Sequence, residues 1–426
     1  MALCLVGSEM CIRDRLKTCG KLKNRRCQNG VDSRKYMNQT KDKQVTIPVM
    51  NTPWVDSPFF EQTFSQLNLD NETRKLVKQF AEKGYVIIDD LGIENITEII
   101  DSIVKDLTHI YGEKGKIKSA WIYHDRIQDA WTFNQDVKKI ASAPQIINLL
   151  KILYQREPIP FQTLNFRFGT EQSTHSDSIH FSSVPARFMC GVWVALEDID
   201  ANNGPLHYYP GSHKLPIFEL NDLGITGSYQ NKPYDIYPVY EEFLQSLIED
   251  NGLKKVELYV KKGQALIWAA NLLHGGSKVL DKNRTRYSQV THYYFSDCMY
   301  YIPLLSDPFI SRIHFKEVKN IITEEVVNHI YNGEKIKINP EEYEIERLKY
   351  KLLQFEEELV KLRPIAMESQ GELNVLKPQL TAVESELEKL RSKLYNSQTE
   401  LELLKSQNLV FEEELKRLRT NFYQNT

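Results

Sequence analysis

The sequence predicts a mainly β fold: a double-stranded β-helix, or jelly roll, with flanking helices and an α-helical coiled coil after it. Three observations predict this. Short apolar runs separated by Gly, Pro and Asn turns fill residues 161–295, the pattern of two packed antiparallel sheets. Stretches of helical periodicity precede them. A heptad of apolar residues then keeps register from Ile345 to Leu418.

Residues 1–50 are expected to be a disordered or artefactual leader. Eleven Lys/Arg lie between Arg13 and Lys43, with no apolar period among them. The string Ser8–Arg15 resembles translated sequencing-adapter sequence, and Met37 or Met50 is an alternative start. A nucleic-acid-binding tail is the functional alternative. Residues 51–335 form the expected catalytic-type domain. Asp70 is a candidate N-cap for a helix carrying Leu76, Val77 and Phe80, and Gly84 ends it before the strand Tyr85–Ile88. A second helix is expected over Ile93–Tyr111 and a third over Val137–Leu153.

Strands are expected at Phe161–Phe168, His175–Phe181, Ala186–Leu196, Leu206–Tyr209, Lys255–Val260, Ala265–Ala269 and Arg286–Phe295. The polar, aromatic and partly helical insertion at 215–251 is expected to cover a site or to be a plain surface excursion. After Pro303 the chain is expected to turn helical. Residues 341–422 read as a coiled coil hinged near 364–378, where Pro364, Gly371 and Pro378 recur at outward positions. Asn408 at an a position favours two strands, and folding back at the hinge is the rival arrangement.

Composition narrows the function. A net charge of −3 argues against nucleic acid or an anionic membrane as the main partner. No apolar run approaches the length of a membrane span. The six cysteines (4, 11, 19, 27, 190 and 298) contain no C-x-x-C pair, which disfavours a zinc site and fits a reducing, cytoplasmic setting.

The informative stretch is Thr174-His175-Ser176-Asp177. On a strand, His175 and Asp177 would share one face. Together they supply two members of a 2-His-1-carboxylate iron(II) site. His274, before Gly275-Gly276-Ser277, is the best third member. For each histidine the ordinary alternative is a surface or turn residue.

The run from His175 to His213 carries further motifs: the strand ending in Trp193, Asn203-Gly204-Pro205-Leu206, and Pro210-Gly211-Ser212-His213. Gly263-Gln264-Ala265-Leu266-Ile267-Trp268 then leads to His274, and Arg286 opens the strand RYSQVTHYYF. In these motifs and their order, residues from about 80 to 295 resemble the phytanoyl-CoA dioxygenase family of iron(II)- and 2-oxoglutarate-dependent oxygenases. The resemblance implies a cupin-like jelly roll holding Fe(2+) through His175, Asp177 and His274, with 2-oxoglutarate as cosubstrate. Arg286, six residues before His292, is the implied anchor for its distal carboxylate, with Arg284 as rival; an arginine fork suits a carboxylate.

Trp193, Gln162, Arg126 and Ser277 are further candidates for the cosubstrate site. Each has a plain structural alternative: core, strand surface, exposed loop, or a turn one residue too long, since Gly276 stands where the family often has the serine. His180 and His213 read as supporting residues. The implied reaction is hydroxylation of an aliphatic C–H in a small organic substrate using O2, with succinate and carbon dioxide released. The coiled coil would join copies of the chain or tether a partner protein. The alternative from another class is an inactive jelly roll serving as a coiled-coil scaffold.

Overall fold

The computed structural model describes residues 51–111, 122–123, 126–225, 233–310, 312–336 and 373–424, with a few positions between 348 and 360. The leader expected at 1–50 and the turn residues Pro364 and Gly371 lie outside the described residues.

Helices come first. After α1 (Phe60–Gln66), α2 (Asn71–Lys83) starts at Asp70, whose carboxylate accepts from the amides of Glu72 and Thr73. It stops at Gly84, where φ is +80° and a Cβ would press into the His213 ring at 2.5 Å. The chain turns there into β1 (Tyr85–Ile88). Next, α3 (Ile96–Thr108) buries Ile100, Ile103 and Leu107 on one stripe. The hairpin strands β2 (Ile122–Tyr123) and β3 (Arg126–Gln128) follow. The single helix expected over 137–153 is two, α4 (Gln135–Ala141) and α5 (Pro144–Tyr154). Pro144 has no amide hydrogen to continue the first helix, and its fixed φ suits the start of the second.

The strands β4 (Pro158–Phe166), β5 (Ser182–Val184), β6 (Met189–Ala195) and β7 (Leu206–Tyr208) precede α6 (Pro233–Asp250). After it come β8 (Val256–Glu257), β9 (Ala265–Ala269), β10 (His274–Gly276), β11 (Ser288–Phe295) and β12 (Met299–Tyr301). They form a seven-stranded sheet, β1-β9-β6-β11-β4-β3-β2, a three-stranded sheet, β10-β7-β8, and the pair β12-β5. Every pairing is antiparallel.

Alternation along the large sheet decides what each face does. Cys190, Val192 and Val194 of β6 and Ala265, Ile267 and Ala269 of β9 pack with the buried faces of α2–α5. Leu164, Phe166, Trp193, Leu266, Trp268 and Val290 point the other way, toward Tyr208 of the small sheet. This inner face holds the site. In α6 and the turn before it, Leu220, Tyr240, Leu244 and Ile248 form a separate cluster with Ile179, Leu273 and Leu304, so the described parts of the 215–251 insertion pack onto the domain.

Two expectations about local structure fail. His175–Phe181 is not a strand: His175 makes one isolated bridge, and Asp177–Ile179 is a 3-10 turn. Ser176 explains the bend, since its hydroxyl caps the Ser178 amide and donates to Ala270 O. The chain after Pro303 does not turn helical at once; residues 303–336 are short 3-10 turns, bridges and the hairpin β13 (Ile330–Tyr331) and β14 (Glu334–Lys335). The helical tail appears as α7 (Leu373–Gln424), which runs through Pro378. Leu352, Phe355 and Leu359 pack on Leu380, Val383 and Leu387, and Arg391 pairs with Glu356 at 3.1 Å. The tail therefore folds back antiparallel on itself over this length, the rival arrangement.

Candidate metal centre and its anion pocket

His175 and His274 are ninety-nine positions apart, yet their backbones meet in an antiparallel bridge. The His175 amide donates to His274 O at 2.9 Å, and the His274 amide donates to His175 O at 3.0 Å. The 3-10 turn after Ser176 then carries Asp177 back toward both rings. Asp177 Oδ1 lies 3.7 Å from Nε2 of His175 and 3.7 Å from Nε2 of His274. One ligand atom from each of the three residues lies within 4.8 Å of the others, and all three side chains are buried.

The hydrogen bonds orient the rings. Nδ1 of His175 lies 2.9 Å from Ser173 O, and Nδ1 of His274 lies 2.9 Å from Leu272 O. Carbonyl oxygens only accept, so each Nδ1 carries the proton and each Nε2 presents a lone pair. Two lone pairs and a carboxylate oxygen then face one another with no proton between them. A first-row metal cation about 2 Å from each nitrogen fits that gap, and the donor set is that of the 2-His-1-carboxylate type.

Electrostatics agree with ligation. Burial, with His274 alongside, holds the His175 imidazole down to about 3, so it is neutral near pH 7. Burial pushes the Asp177 carboxyl up, but His274, His292, His175 and the Trp268 indole together keep it below the usual carboxylate range. Trp268 Nε1 donates to Asp177 Oδ2 at 2.8 Å, and His292 Nε2 lies 3.9 Å from the same oxygen.

Arg286, Ser288, Val290 and His292 alternate along β11 and its approach. Arg286 is 1% exposed. Its Nη2 donates to Phe168 O at 3.3 Å, while Nε and Nη1 have no hydrogen-bond partner among the described residues. The rings of Phe166 and Trp193 each lie 5.7 Å from its Cζ. Trp193 Nε1 and the Ser288 hydroxyl are likewise buried without partners. A buried guanidinium with unused donors is costly unless an anion completes it; burial, opposed by the charge of Glu197, brings it down to about 10. A carboxylate fits this pocket. Arg284, the rival, is spent on Asp200 at 2.6 Å near the surface.

The other expected residues sit differently. Gln162 Oε1 accepts from His292 Nδ1 at 3.0 Å, which leaves that ring's Nε2 facing Asp177. The Ser277 hydroxyl donates to Glu257 at 2.8 Å, as its extra step past His274 allows. Arg126 pairs in register with Phe166, and its charge is felt at His180 and His292. His180 Nε2 meets the Tyr237 hydroxyl of α6 at 3.2 Å, and His213 donates to Ala81 O at 3.2 Å. Sequence reasoning gave no role to Trp268 or Lys316. Trp268 was findable, because the alternation Leu266, Trp268 aims it at the inner face.

The family model described as Phytanoyl-CoA dioxygenase (PhyH) matches residues 32–285. The peroxisomal phytanoyl-CoA dioxygenase of Rattus norvegicus is 26% identical over 190 residues, 41% of this chain and 50% of that protein. Phytanoyl-CoA dioxygenase domain-containing protein 1 of Danio rerio is 30% identical over 141 residues, 32% of this chain and 45% of that protein. The chain thus spans about half the length of the curated relatives it matches. A crystal structure of EctD from S. alaskensis with bound Fe overlaps at a TM-score of 0.41 and 17% identity, over 54% of this chain and 79% of that one. That overlap is too low to bear on function.

Proposed function

The chain belongs to the phytanoyl-CoA dioxygenase family, and on that premise we propose that it is an iron(II)- and 2-oxoglutarate-dependent dioxygenase. It hydroxylates an aliphatic C–H bond of a small organic substrate and releases succinate and carbon dioxide. The observation that carries this reading is the convergence of His175, Asp177 and His274, in a fold that also buries an arginine with Nε and Nη1 unused among the described residues.

Iron(II) held with 2-oxoglutarate supplies the oxidising chemistry when both are bound. The chain's own residues do the rest. His175 and His274 turn their Nε2 atoms toward the metal position, and Asp177 offers Oδ1 while Trp268 occupies Oδ2. Arg286 receives the distal carboxylate of the cosubstrate, with Trp193 Nε1 and the Ser288 hydroxyl as further donors in the same pocket. Gln162 orients His292 from the strand beside it, and Ser277 braces the turn after His274 through Glu257. The buried inner face excludes water from the reacting groups.

The heptad tail adds assembly. Its first part is closed within the chain, whereas Leu394, Leu401 and Leu404 remain only partly covered. That later stretch, with Asn408 at an a position, is the part offered to a second copy or to a partner protein. No described helix is long and apolar enough to cross a membrane. The buried free thiols of Cys190 and Cys298 suit a reducing compartment such as the cytoplasm.

The test is an anaerobic titration of the apoprotein with iron(II) and then 2-oxoglutarate. A weak visible charge-transfer band, followed by succinate once oxygen is admitted, is the expected result. With neither, the scaffold reading takes over.

A further inference from the structure

Lys316 lies on the segment that leaves β12, far from every motif in the sequence. Its amide donates to Tyr300 O at 2.9 Å, and Phe315 bridges to Tyr301, so the backbone is fixed. Its ammonium sits 5.1 Å from the Phe181 ring centroid and 5.5 Å from that of Phe161. Among the described residues no carboxylate forms an ion pair with it. Two acids, Asp129 and Glu317, act on it through space; Asp129 accepts from the Thr163 amide and the Trp131 indole.

Two rings lie between this cation and the metal centre. Phe181 lies 4.9 Å from the His292 imidazole, centroid to centroid, and His292 reaches to 3.9 Å from Asp177. The charges of Lys316 and Arg126 both bear on His180 and His292, so two cations share this wall. Tyr237 of α6 closes it by meeting His180. None of these side chains touches Arg286, whose neighbours are Phe166, Phe168 and Trp193. Lys316 is partly accessible, and aromatic faces alone replace little of the hydration an ammonium gives up.

We propose that the substrate carries an anionic group, a carboxylate or a phosphate, held by Lys316. Its apolar portion would lie along Phe161 and Phe181, with the reacting carbon delivered past His292 to the metal centre. The inference rests on the dioxygenase reading for the words "substrate" and "reacting carbon". The anion site itself stands on the geometry of Lys316.

The experiment uses the full chain loaded with iron(II) under argon and saturated with 2-oxoglutarate, so that Arg286 is already filled. Calorimetry then measures binding of hexanoate, hexyl phosphate and neutral hexanol. The expected result is saturable binding of an anionic probe with no detectable binding of hexanol, and the tighter anion identifies carboxylate or phosphate. Lys316→Met keeps the aliphatic stem and should weaken that probe at least about tenfold, with 2-oxoglutarate affinity unchanged; Lys316→Arg should restore most of it. Equal binding of hexanol, or full binding by Lys316→Met, overturns the proposal. Should Lys316→Met not fold, the comparison of probes on the wild type still decides. If iron and 2-oxoglutarate fail to bind while an anionic probe binds through Lys316, the dioxygenase reading fails and the anion site survives.

Discussion

The indole nitrogen of Trp268 donates to Oδ2 of Asp177 at 2.8 Å, and the bond is buried. It ties down one carboxylate oxygen and leaves Oδ1 facing His175 and His274. Room for the indole comes from Gly191 on the neighbouring strand, where an added Cβ would lie 2.2 Å from the ring. Outer partners of this kind commonly set metal affinity by an order of magnitude or more. Trp268→Phe should therefore weaken iron(II) binding by about tenfold while the fold persists, as read by anaerobic metal titration beside circular dichroism. Unchanged affinity would remove Trp268 from the site. Gly191→Ala should cost about 1–3 kcal/mol of stability through overpacking and weaken metal binding as well.

Arg286 and Arg284 separate the anchor from its neighbour. Arg286→Lys loses the planar fork and should raise the 2-oxoglutarate dissociation constant at least about tenfold, with metal affinity near wild type. Arg284→Ala, which breaks only an exposed pair with Asp200, should leave the cosubstrate unaffected and change stability by less than about 1 kcal/mol. Isothermal titration of both variants checks this, and the reverse ranking would reassign the anchor.

Acid should weaken the apo-fold because its buried histidines are held neutral in the folded chain. Burial holds His213, His292, His314 and His329 at about 4 in the folded chain, against about 6.5 unfolded. Between those values the unfolded chain binds more protons, so stability rises with pH across the window and is lost as pH falls from about 6.5 toward 4. Asp56 opposes this: burial raises its carboxyl to about 6, so its share of stability falls as pH rises through the range between its unfolded value and about 6. Burial raises Asp129, Glu219 and Glu241 in the same sense as Asp56, but it also holds His175, His180 and His207 low, so the histidines set the sign. Urea midpoints at pH 7.5, 6 and 5 should fall in that order, and a flat or rising series would contradict the neutral buried imidazoles.

The tail yields a separate outcome. Leu387→Asp puts a charge into the Leu359, Val383 and Leu387 cluster and should release the folded-back helices, seen as a larger hydrodynamic radius. Deleting residues 393–426 should abolish self-association in light scattering and leave 2-oxoglutarate binding intact. Retained association after the deletion would place the contact elsewhere.

By itself the sequence determined the secondary pattern of the domain, because helix caps, glycine stops and strand alternation are local effects. Asp70 and Gly84 bound their helix where the residue types require it. The candidate triad was legible in outline because His175 and Asp177 sit two apart, with His274 before Gly275-Gly276 as the expected third member. Their geometry was not legible: the H-x-D lies on a bend and a 3-10 turn, and only the bridge to His274 brings the rings together. Tertiary structure also decided which arginine is left with unused donors, since Arg284 and Arg286 differ in burial and partners rather than in local sequence. Trp268 acquires its hydrogen bond, and Lys316 its place beside Phe181, only when strands distant in the chain are stacked. The heptad specified an apolar seam without naming what closes it, and the fold closes part of it within the same chain because burying that stripe is favourable whichever partner supplies the other face.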